Sequence, residues 1–395
     1  MIRILLLALS VFSLGSTADV RINELKWRPE LITKESILAN YENMTPDEPP
    51  LFSDIPQLVF LSNFTERDYP YAEKNAKRIE YVSFSWFLVG PQYDEYETKM
   101  DNVRFIGDQF INQTLIQNLR KANSNIKIVP RFQFTKFAPG IAESFVRDEL
   151  LVQRSARTIV NFCHEHGFDG AVIAWGALLS KVVTFDEYDL HSVDLYRNML
   201  ETLEQVGNVI RKNGLIAIFA MQPPFTGNNL ESLESETEIF LLPPQFCHKM
   251  MDSYDFVNVW LDDESTRPVN RQYFHDRFLK KIMKFYNYSP KLFIGIIFYG
   301  YELPLDAYLR GEDGFEWKPI GGERFLEILR KDDAVLTFNE VNKEHELTSE
   351  SANAFILYPS LTQLEYRLAH IKQHPGVGLG IWAYGNGLPY FTNLL

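Results

Sequence analysis

Apolar residues occur along most of this chain in short continuous runs, each followed by a longer segment of mixed polarity. The runs begin near residue 57 and read QLVFLS, EYVSFSWFLV, IKIVPRFQF, GAVIAW, LIAIFAM, DFVNVWL, LFIGIIFYG and GVGLGIWAYG. They do not alternate between polar and apolar positions, so both faces of each strand are predicted to be buried. Continuous apolar strands of this kind are typical of a parallel sheet that is covered by helices.

The segments between the runs have helical spacing. Before GAVIAW, the apolar side chains of Ala156, Ile159, Val160 and Cys163 recur at the intervals of one helix face. Gly167 follows them and is placed to end the helix as its C-cap. Strands and helices therefore alternate along the chain.

The number of these alternating units sets the fold class. We count about eight βα units, the number that closes a (β/α)₈ TIM barrel. The alternative is a doubly wound open sheet, but no Gly-rich phosphate fingerprint follows the first strand. We predict an α/β TIM barrel with a small α+β insertion at about 301–353, between the seventh and eighth strands. AFILYP is predicted to close the insertion.

The first 54 residues differ from the rest. Residues 1–18 are predicted to be a secretory signal peptide: Arg3 precedes the apolar run ILLLALSVFSL, and Ser16 and Ala18 fit cleavage after Ala18. A membrane anchor is the alternative, but the run is far shorter than the roughly 20 residues of a spanning helix. Residues 19–54 are polar and rich in proline, which predicts an extended or partly ordered N-terminal arm before the barrel at 55–395.

A signal peptide predicts a protein that is secreted or delivered to lysosomes. Three sequons fit that route, and we expect glycosylation at Asn43, Asn63 and Asn112. The only cysteines are Cys163 and Cys247, and the sequence leaves open whether they form one bridge or stay as two buried thiols.

Charge and motifs exclude several classes of function. The net charge of −13 disfavours binding both to nucleic acid and to anionic membranes. The histidines show no metal-ligand spacing with acids, so we expect no metal and no cofactor. No Ser-centred nucleophile elbow is present.

Three blocks in the second half of the chain point to a known family. YDFVNVWLDD (254–263), KLFIGIIFYG (291–300) and GIWAYGNG (380–387) resemble the sixth, seventh and eighth strands of glycoside hydrolase family 18, the chitinases and chitinase-like lectins. The resemblance covers about Leu58 to Leu395. It implies chitin-type oligosaccharide or polysaccharide ligands containing N-acetylglucosamine. It also matches Asp255 and Asp263 to two family aspartates, and Trp382 to the tryptophan that forms the floor of the main sugar subsite.

The family's catalytic signature is altered in this chain. DxxDxDxE lies on the fourth strand, where the Glu protonates the leaving oxygen and the adjacent Asp orients the substrate's acetamido group. Aligned on Phe-Asp-Gly, the chain keeps Asp169 but has Val172, Ala174 and Gly176 at the other three positions. Since a general acid contributes roughly 10²–10⁴ in rate, the resemblance implies a pseudoenzyme with no catalytic residues.

Aromatic rings and one carboxylate remain as candidates for sugar binding. Pyranose rings stack on aromatic faces, and strand ends at the mouth of a barrel are where such a site is expected. Barrel core is the competing interpretation for each ring, because strand alternation can turn Trp175 and Trp260 outward. Arg131 follows the third strand and is expected either to form an ion pair or to meet an anionic sugar. The predicted ligand-binding residues are Trp382, Trp175, Asp263, Tyr299, Trp260 and Trp86.

These observations predict a chitinase-like lectin that binds glycans without hydrolysing them. One alternative is a residual glycosidase that uses unconventional acids such as Asp263 or Glu302. Another is a protein-interaction scaffold in which the inserted lobe closes the mouth of the barrel. A trafficking receptor is a further expected partner.

Overall fold

Strands and α-helices alternate through most of the described chain. The structure is a computed structural model that describes residues 20–62, 67–96, 99–175, 190–222, 244–261, 274–287, 289–311 and 317–395. The strands are β1 (Gln57–Leu61), β2 (Tyr81–Phe84), β3 (Phe87–Tyr93), β4 (Met100–Ile106), β5 (Lys127–Ile128), β6 (Arg131–Phe134), β7 (Gly170–Ala174), β8 (Ile216–Met221), β9 (Phe256–Trp260), β10 (Leu292–Ile297), β11 (Gly300–Pro304), β12 (Lys318–Ile320), β13 (Val335–Asn339), β14 (Glu344–Ser349), β15 (Ala354–Leu357) and β16 (Gly378–Trp382). The α-helices are α1 (Lys34–Asn40), α2 (Asp68–Asn75), α3 (Gln113–Ala122), α4 (Pro139–Arg147), α5 (Glu149–Glu165), α6 (Leu190–Lys212), α7 (Pro244–Ser253), α8 (Phe274–Phe285), α9 (Leu305–Arg310), α10 (Gly322–Leu329) and α11 (Leu361–Lys372).

A ring of parallel strands forms the centre of the fold. Around the ring the strands follow in the order β1, β2, β5, β7, β8, β9, β10 and β16. β3 continues β2, and β6 continues β5. The ring closes because β16 pairs with β10 on one side and with β1 on the other, which places Ile381 opposite both Ile296 and Val59. The predicted TIM barrel is confirmed. Its strands are buried on both faces, as their continuous apolar runs indicate.

The third barrel strand is broken at Pro130. β5 pairs with β2, and β6 pairs with β3. Proline has no N–H to donate, so it interrupts the ladder, but its carbonyl accepts the Val172 N–H at 2.9 Å. The break does not separate the third strand from β7.

Side chains of β7 alternate between two apolar layers. Ala171 and Ile173 point outward into the large core between the sheet and the helices. Val172 and Ala174 point inward and pack in the smaller core inside the barrel. The period of two follows from the strand geometry, and it decides which residues reach a ligand at the mouth.

The turn into β7 has the predicted glycine cap. α5 ends at Glu165, and Gly167 takes a left-handed conformation with φ of 67°. The Gly167 N–H donates to the His164 carbonyl at 3.2 Å, and the Phe168 N–H donates to the Cys163 carbonyl at 2.8 Å. These two bonds form a Schellman motif, which needs a residue free to adopt positive φ.

The described chain has two elements in addition to the barrel. The sequence predicts one strand over EYVSFSWFLV, but the chain forms β2 there and begins β3. It then turns back in β4, which pairs antiparallel with β3. The mixed burial of β4 explains why it has no continuous apolar run. The second addition is the lobe, a five-stranded antiparallel sheet in the order β12-β11-β15-β14-β13 with α9 and α10. It lies between β10 and β16, as predicted.

The N-terminal arm is held more firmly than its polar composition predicts. It contains α1, and Ile37 and Phe52 are 3% and 5% exposed within the large core. The Glu365 carboxylate accepts the backbone N–H of Trp27 at 2.7 Å and that of the preceding residue at 2.8 Å. The Phe52 N–H donates to the Leu394 carbonyl at 2.9 Å. The arm therefore packs against the barrel instead of extending from it.

The two cysteines are separate buried thiols. Cys163 lies on α5 and Cys247 on α7, and their side chains are 0% and 1% exposed. Burial raises the pKa of each thiol to about 12. The structure thus resolves the alternative that the sequence left open.

Candidate functional site

Three aromatic rings meet inside the mouth of the barrel. Trp382 ends β16, Trp260 ends β9, and Phe60 lies in β1, which pairs with β16. The ring centroids lie 5.9 Å apart for Trp260 and Trp382, 4.9 Å for Phe60 and Trp260, and 5.6 Å for Phe60 and Trp382. Both tryptophans are only partly buried, so part of each indole remains open. The prediction that Trp382 and Trp260 are at the mouth agrees with this placement.

Glycines in the neighbouring strands make room for this cluster. A Cβ at Gly295 of β10 would lie 2.4 Å from Cε3 of Trp260, and a Cβ at Gly380 of β16 would lie 1.9 Å from Oδ1 of Asn258. Both distances are shorter than a non-bonded contact allows. Glycine at 295 is therefore required for the position of the Trp260 indole.

A guanidinium group lies against the aromatic cluster. Arg131 and Gln133 of β6 point inward, on the opposite face from Phe132 and Phe134, which are in the outer core. The Arg131 Cζ lies 4.8 Å from the centroid of the Trp382 ring, within the range of a cation–π interaction. This arginine holds the Trp382 indole from one side.

The inner face of β7 is aliphatic where the family signature has carboxylates. Val172 is 0% exposed and Ala174 is 5% exposed, and both pack inside the barrel. They lie opposite Arg131 and Gln133 across the β6–β7 pairing. Gly176, aligned with the general acid, lies outside the described residues.

The one retained aspartate of the signature has a structural position. Asp169 precedes β7, at the end of the strand opposite to the mouth. Its carboxylate Oδ2 accepts the Ile128 N–H at 2.9 Å and the Arg120 Nη2 at 2.9 Å, and Oδ1 lies 3.9 Å from the Lys127 ammonium. It joins β7 to β5 and α3, far from any sugar at the mouth. Residues at this end of a TIM barrel serve stability.

Two predicted ligand-binding tryptophans are core residues instead. Trp175 is 1% exposed and packs on the helix side of the sheet, with ring centroids 4.8 Å from Phe134 and 6.0 Å from Phe145. Strand alternation turns it outward, as the inward position of Ala174 requires. Trp86 is 3% exposed, stacks on Phe84 at 3.9 Å, and donates its Nε1–H to the Tyr69 hydroxyl at 3.0 Å.

Tyr299 lies where the barrel meets the lobe. It is 9% exposed and clusters with Ile297 and Tyr301, against which Trp382 packs. Its hydroxyl lies 3.3 Å from that of Tyr301. Tyr299 therefore borders the aromatic cluster, with little of its ring open. Asp263 lies outside the described residues.

The alternative acid Glu302 is held in an ion pair. Its two carboxylate oxygens accept from Nε and Nη2 of Arg324 at 2.9 and 2.6 Å. The hydrogen bonds from Arg324 lower the pKa of the Glu302 carboxyl below its ordinary value. A general acid needs the opposite shift, so this geometry does not suit Glu302 to protonate a leaving group.

Two of the three sequons fall on described, exposed residues. Asn43 and Asn112 are exposed, and the Asn112 Oδ1 caps α3 by accepting the Leu115 N–H at 2.9 Å. This bond leaves the amide nitrogen of Asn112, the atom that carries a glycan, outside the cap. Asn63 lies outside the described residues.

No helix among the described residues is long and apolar enough to cross a membrane. Nor does any group of three or more His, Cys, Asp or Glu side chains in those residues have the arrangement of a metal site.

Solved structures with the same fold come from chitinases and related enzymes. No protein-family model matches the sequence. A chitinase from Chromobacterium violaceum is 12% identical with a TM-score of 0.64, over 86% of this chain and 98% of that one. A class V chitinase mutant from Cycas revoluta in complex with (GlcNAc)3 is 14% identical with a TM-score of 0.60, over 86% and 97%. A glycoside hydrolase family 18 N-acetylglucosaminidase from Paenibacillus barengoltzii is 15% identical with a TM-score of 0.56, over 86% and 98%.

The chain therefore has the chitinase-like (β/α)₈ fold of glycoside hydrolase family 18. At these identities the comparisons establish the fold alone, because one fold supports many chemistries. The function has to be argued from the residues at the mouth.

Proposed function

We propose that this protein is a secreted or lysosomal chitinase-like lectin that binds chito-oligosaccharides, or related N-acetylated glycans, without hydrolysing them. Within glycoside hydrolase family 18 we place it in the branch of chitinase domain-containing protein 1, on the blocks FDGAVIAW, PRFQF, MQPP and GNGLPYFTNLL.

The aliphatic inner face of β7 carries the proposal. Substrate-assisted hydrolysis requires a carboxylate to orient the acetamido nucleophile and a carboxylic acid to protonate the leaving oxygen. Val172 and Ala174 occupy the inward positions of this strand, and neither side chain transfers a proton or accepts a hydrogen bond. Ala174 stands at the position of the orienting Asp and Gly176 at the position of the general acid, which by itself contributes roughly 10²–10⁴ in rate.

The aromatic cluster supports the binding half of the proposal. Trp382 and Trp260 are partly open at the mouth and are fixed by Phe60, Gly295 and Arg131. An indole held in place loses little conformational entropy when a sugar ring stacks on it. A protein of the same fold is known in complex with (GlcNAc)3, which makes this trisaccharide the first ligand to test.

Calorimetric titration with (GlcNAc)3, run beside a turnover assay on the same samples, tests the proposal. We expect saturable binding and no released product. Trp382→Ala should weaken binding about 30-fold, the scale of a binding hot spot. Trp27→Ala is the matched control, because Trp27 lies on the N-terminal arm and packs against the outer core. Equal affinity in Trp382→Ala and the wild type would contradict the proposed site.

The same assay separates the two alternatives. Turnover that Asp263→Asn abolishes would establish a glycosidase with an unconventional acid. No binding to any N-acetylated glycan, combined with capture of a protein such as a trafficking receptor, would favour the interaction scaffold.

A further inference from the structure

A narrow polar pocket lies between the lobe and the mouth of the barrel. Ile297 and Tyr299 line it on the barrel side, and Glu344, Gln363 and Arg367 line it on the side of the lobe and α11. We call it the lobe pocket. It has room for about one water-sized group. The aromatic site described above does not use its polar residues.

The lobe pocket contains a buried charge pair. The Glu344 and Arg367 side chains are 3% and 4% exposed, and the Arg367 Nη2 lies 3.5 Å from the Glu344 Oε1. A buried ion pair is often no more stabilising than apolar side chains of the same volume.

The charge pair fixes the orientation of a neighbouring amide. The Gln363 Nε2 donates to the Glu344 Oε1 at 2.7 Å. A carboxylate beside an arginine only accepts, so the amide nitrogen of Gln363 must face Glu344 and the amide oxygen must face away. That oxygen, Oε1, is buried and accepts no hydrogen bond from the described residues. Gln363 is 7% exposed as a whole and lines the pocket, so the wall of the pocket contains a buried acceptor with no partner among the described residues.

The lobe pocket adjoins the proposed sugar site. Ile297 and Tyr299 line the pocket and also pack in the cluster that touches Trp382. Ile297 is directly opposite Trp382 in the β10–β16 pairing. The aromatic site and the lobe pocket therefore share Ile297 and Tyr299 as a common wall.

We propose that the lobe pocket recognises the exocyclic hydroxymethyl group of a hexose unit, whose hydroxyl donates to the Gln363 Oε1. This inference rests on the proposed glycan-binding function and deepens it. The pocket is too narrow for a pyranose ring, and a ring hydroxyl projects from the ring by only one C–O bond, one carbon less than the hydroxymethyl arm. The hydroxymethyl arm therefore reaches further into the pocket, and its terminal oxygen is about the size of one water. The pocket is thus a specificity-determining site for sugars that carry this arm.

The test compares (GlcNAc)3 with its 6-deoxy analogue by calorimetric titration. The wild type should bind (GlcNAc)3 about 3- to 10-fold more tightly, the worth of one net hydrogen bond. Gln363→Met removes the acceptor at similar volume and should bring the ratio of the two affinities close to one. Gln153→Leu is the matched control: its amide also donates to a glutamate, at 3.3 Å, but on the outer helix α5. It should keep the wild-type ratio.

The ratio of affinities separates this inference from its premise. A loosened fold in Gln363→Met would lower both affinities and leave their ratio unchanged, which would count against the proposal. If the wild type binds both sugars equally, the proposed function stands and the role of Gln363 is refuted. If the wild type binds neither, both proposals fail.

Discussion

Replacing Asp169 tests whether the retained acid of the signature is structural. In Asp169→Ala, the Ile128 N–H loses its acceptor at 2.9 Å and Arg120 loses its partner at 2.9 Å. A backbone donor left unsatisfied costs about 1–3 kcal/mol, and a half-exposed ion pair adds about 0–1 kcal/mol. The Asp169 side chain is 27% exposed, so water replaces part of the loss. We expect the free energy of unfolding to fall by about 2 kcal/mol.

Urea unfolding followed by tryptophan fluorescence measures this loss, with the m-value fixed to the wild-type slope. Asp169→Asn keeps one acceptor oxygen and should lose less than half as much. Asp54→Ala is the control, since Asp54 forms a surface ion pair with Lys372 at 3.3 Å. The affinity of folded Asp169→Ala for (GlcNAc)3 should equal that of the wild type. A variant as stable as the wild type but impaired in binding would refute the structural role.

Three further predictions follow from other parts of the fold. Cys163 and Cys247 should react with Ellman's reagent only after unfolding in guanidinium, because burial raises the pKa of each thiol to about 12; rapid reaction of the native protein would contradict their burial. Burial lowers the pKa of His345 from 6.5 to about 4. The unfolded chain therefore binds more protons between these values. The free energy of unfolding should decrease as the pH is lowered through this window, by about 2 kcal/mol at pH 5. Urea midpoints from pH 7.5 to 4.5 should show this slope, and His345→Gln should flatten it. Thr114→Ala removes the sequon of Asn112 but keeps its helix cap. The variant secreted from a eukaryotic host should lose the mass of one glycan with no change in melting temperature, whereas an unchanged mass would exclude modification there.

The fold was readable from the sequence because burial on both faces leaves a local signature. A parallel strand covered by helices must be apolar at every position, so β7, β8 and β10 appear as continuous runs. Gly167 was equally visible, since only a residue tolerant of positive φ completes the Schellman motif. β4 was not visible, because its mixed burial leaves no such run.

The candidate site was only half readable. Trp382 was identified by its family position, and the inward Val172 and Ala174 follow from strand alternation. Trp175 and Trp86 were misassigned, because an aromatic ring at a strand end has the same sequence pattern whether it faces the mouth or the helices. Burial in a cluster of other rings, such as Phe134 with Trp175, is a property of the packed molecule.

The sequence by itself determined the order of strands and helices, the apolar filling of the barrel and the replacement of the signature acids, since each depends on one residue or on neighbours in the chain. The tertiary structure decided which side chains share a space. Gln363 and Glu344 of the lobe pocket lie beside Ile297, far from it in the chain, and their contacts exist only because the lobe folds back on the barrel. Polar residues carry no local mark of a buried partner. Whether they are surface groups or a binding site is therefore settled by long-range packing.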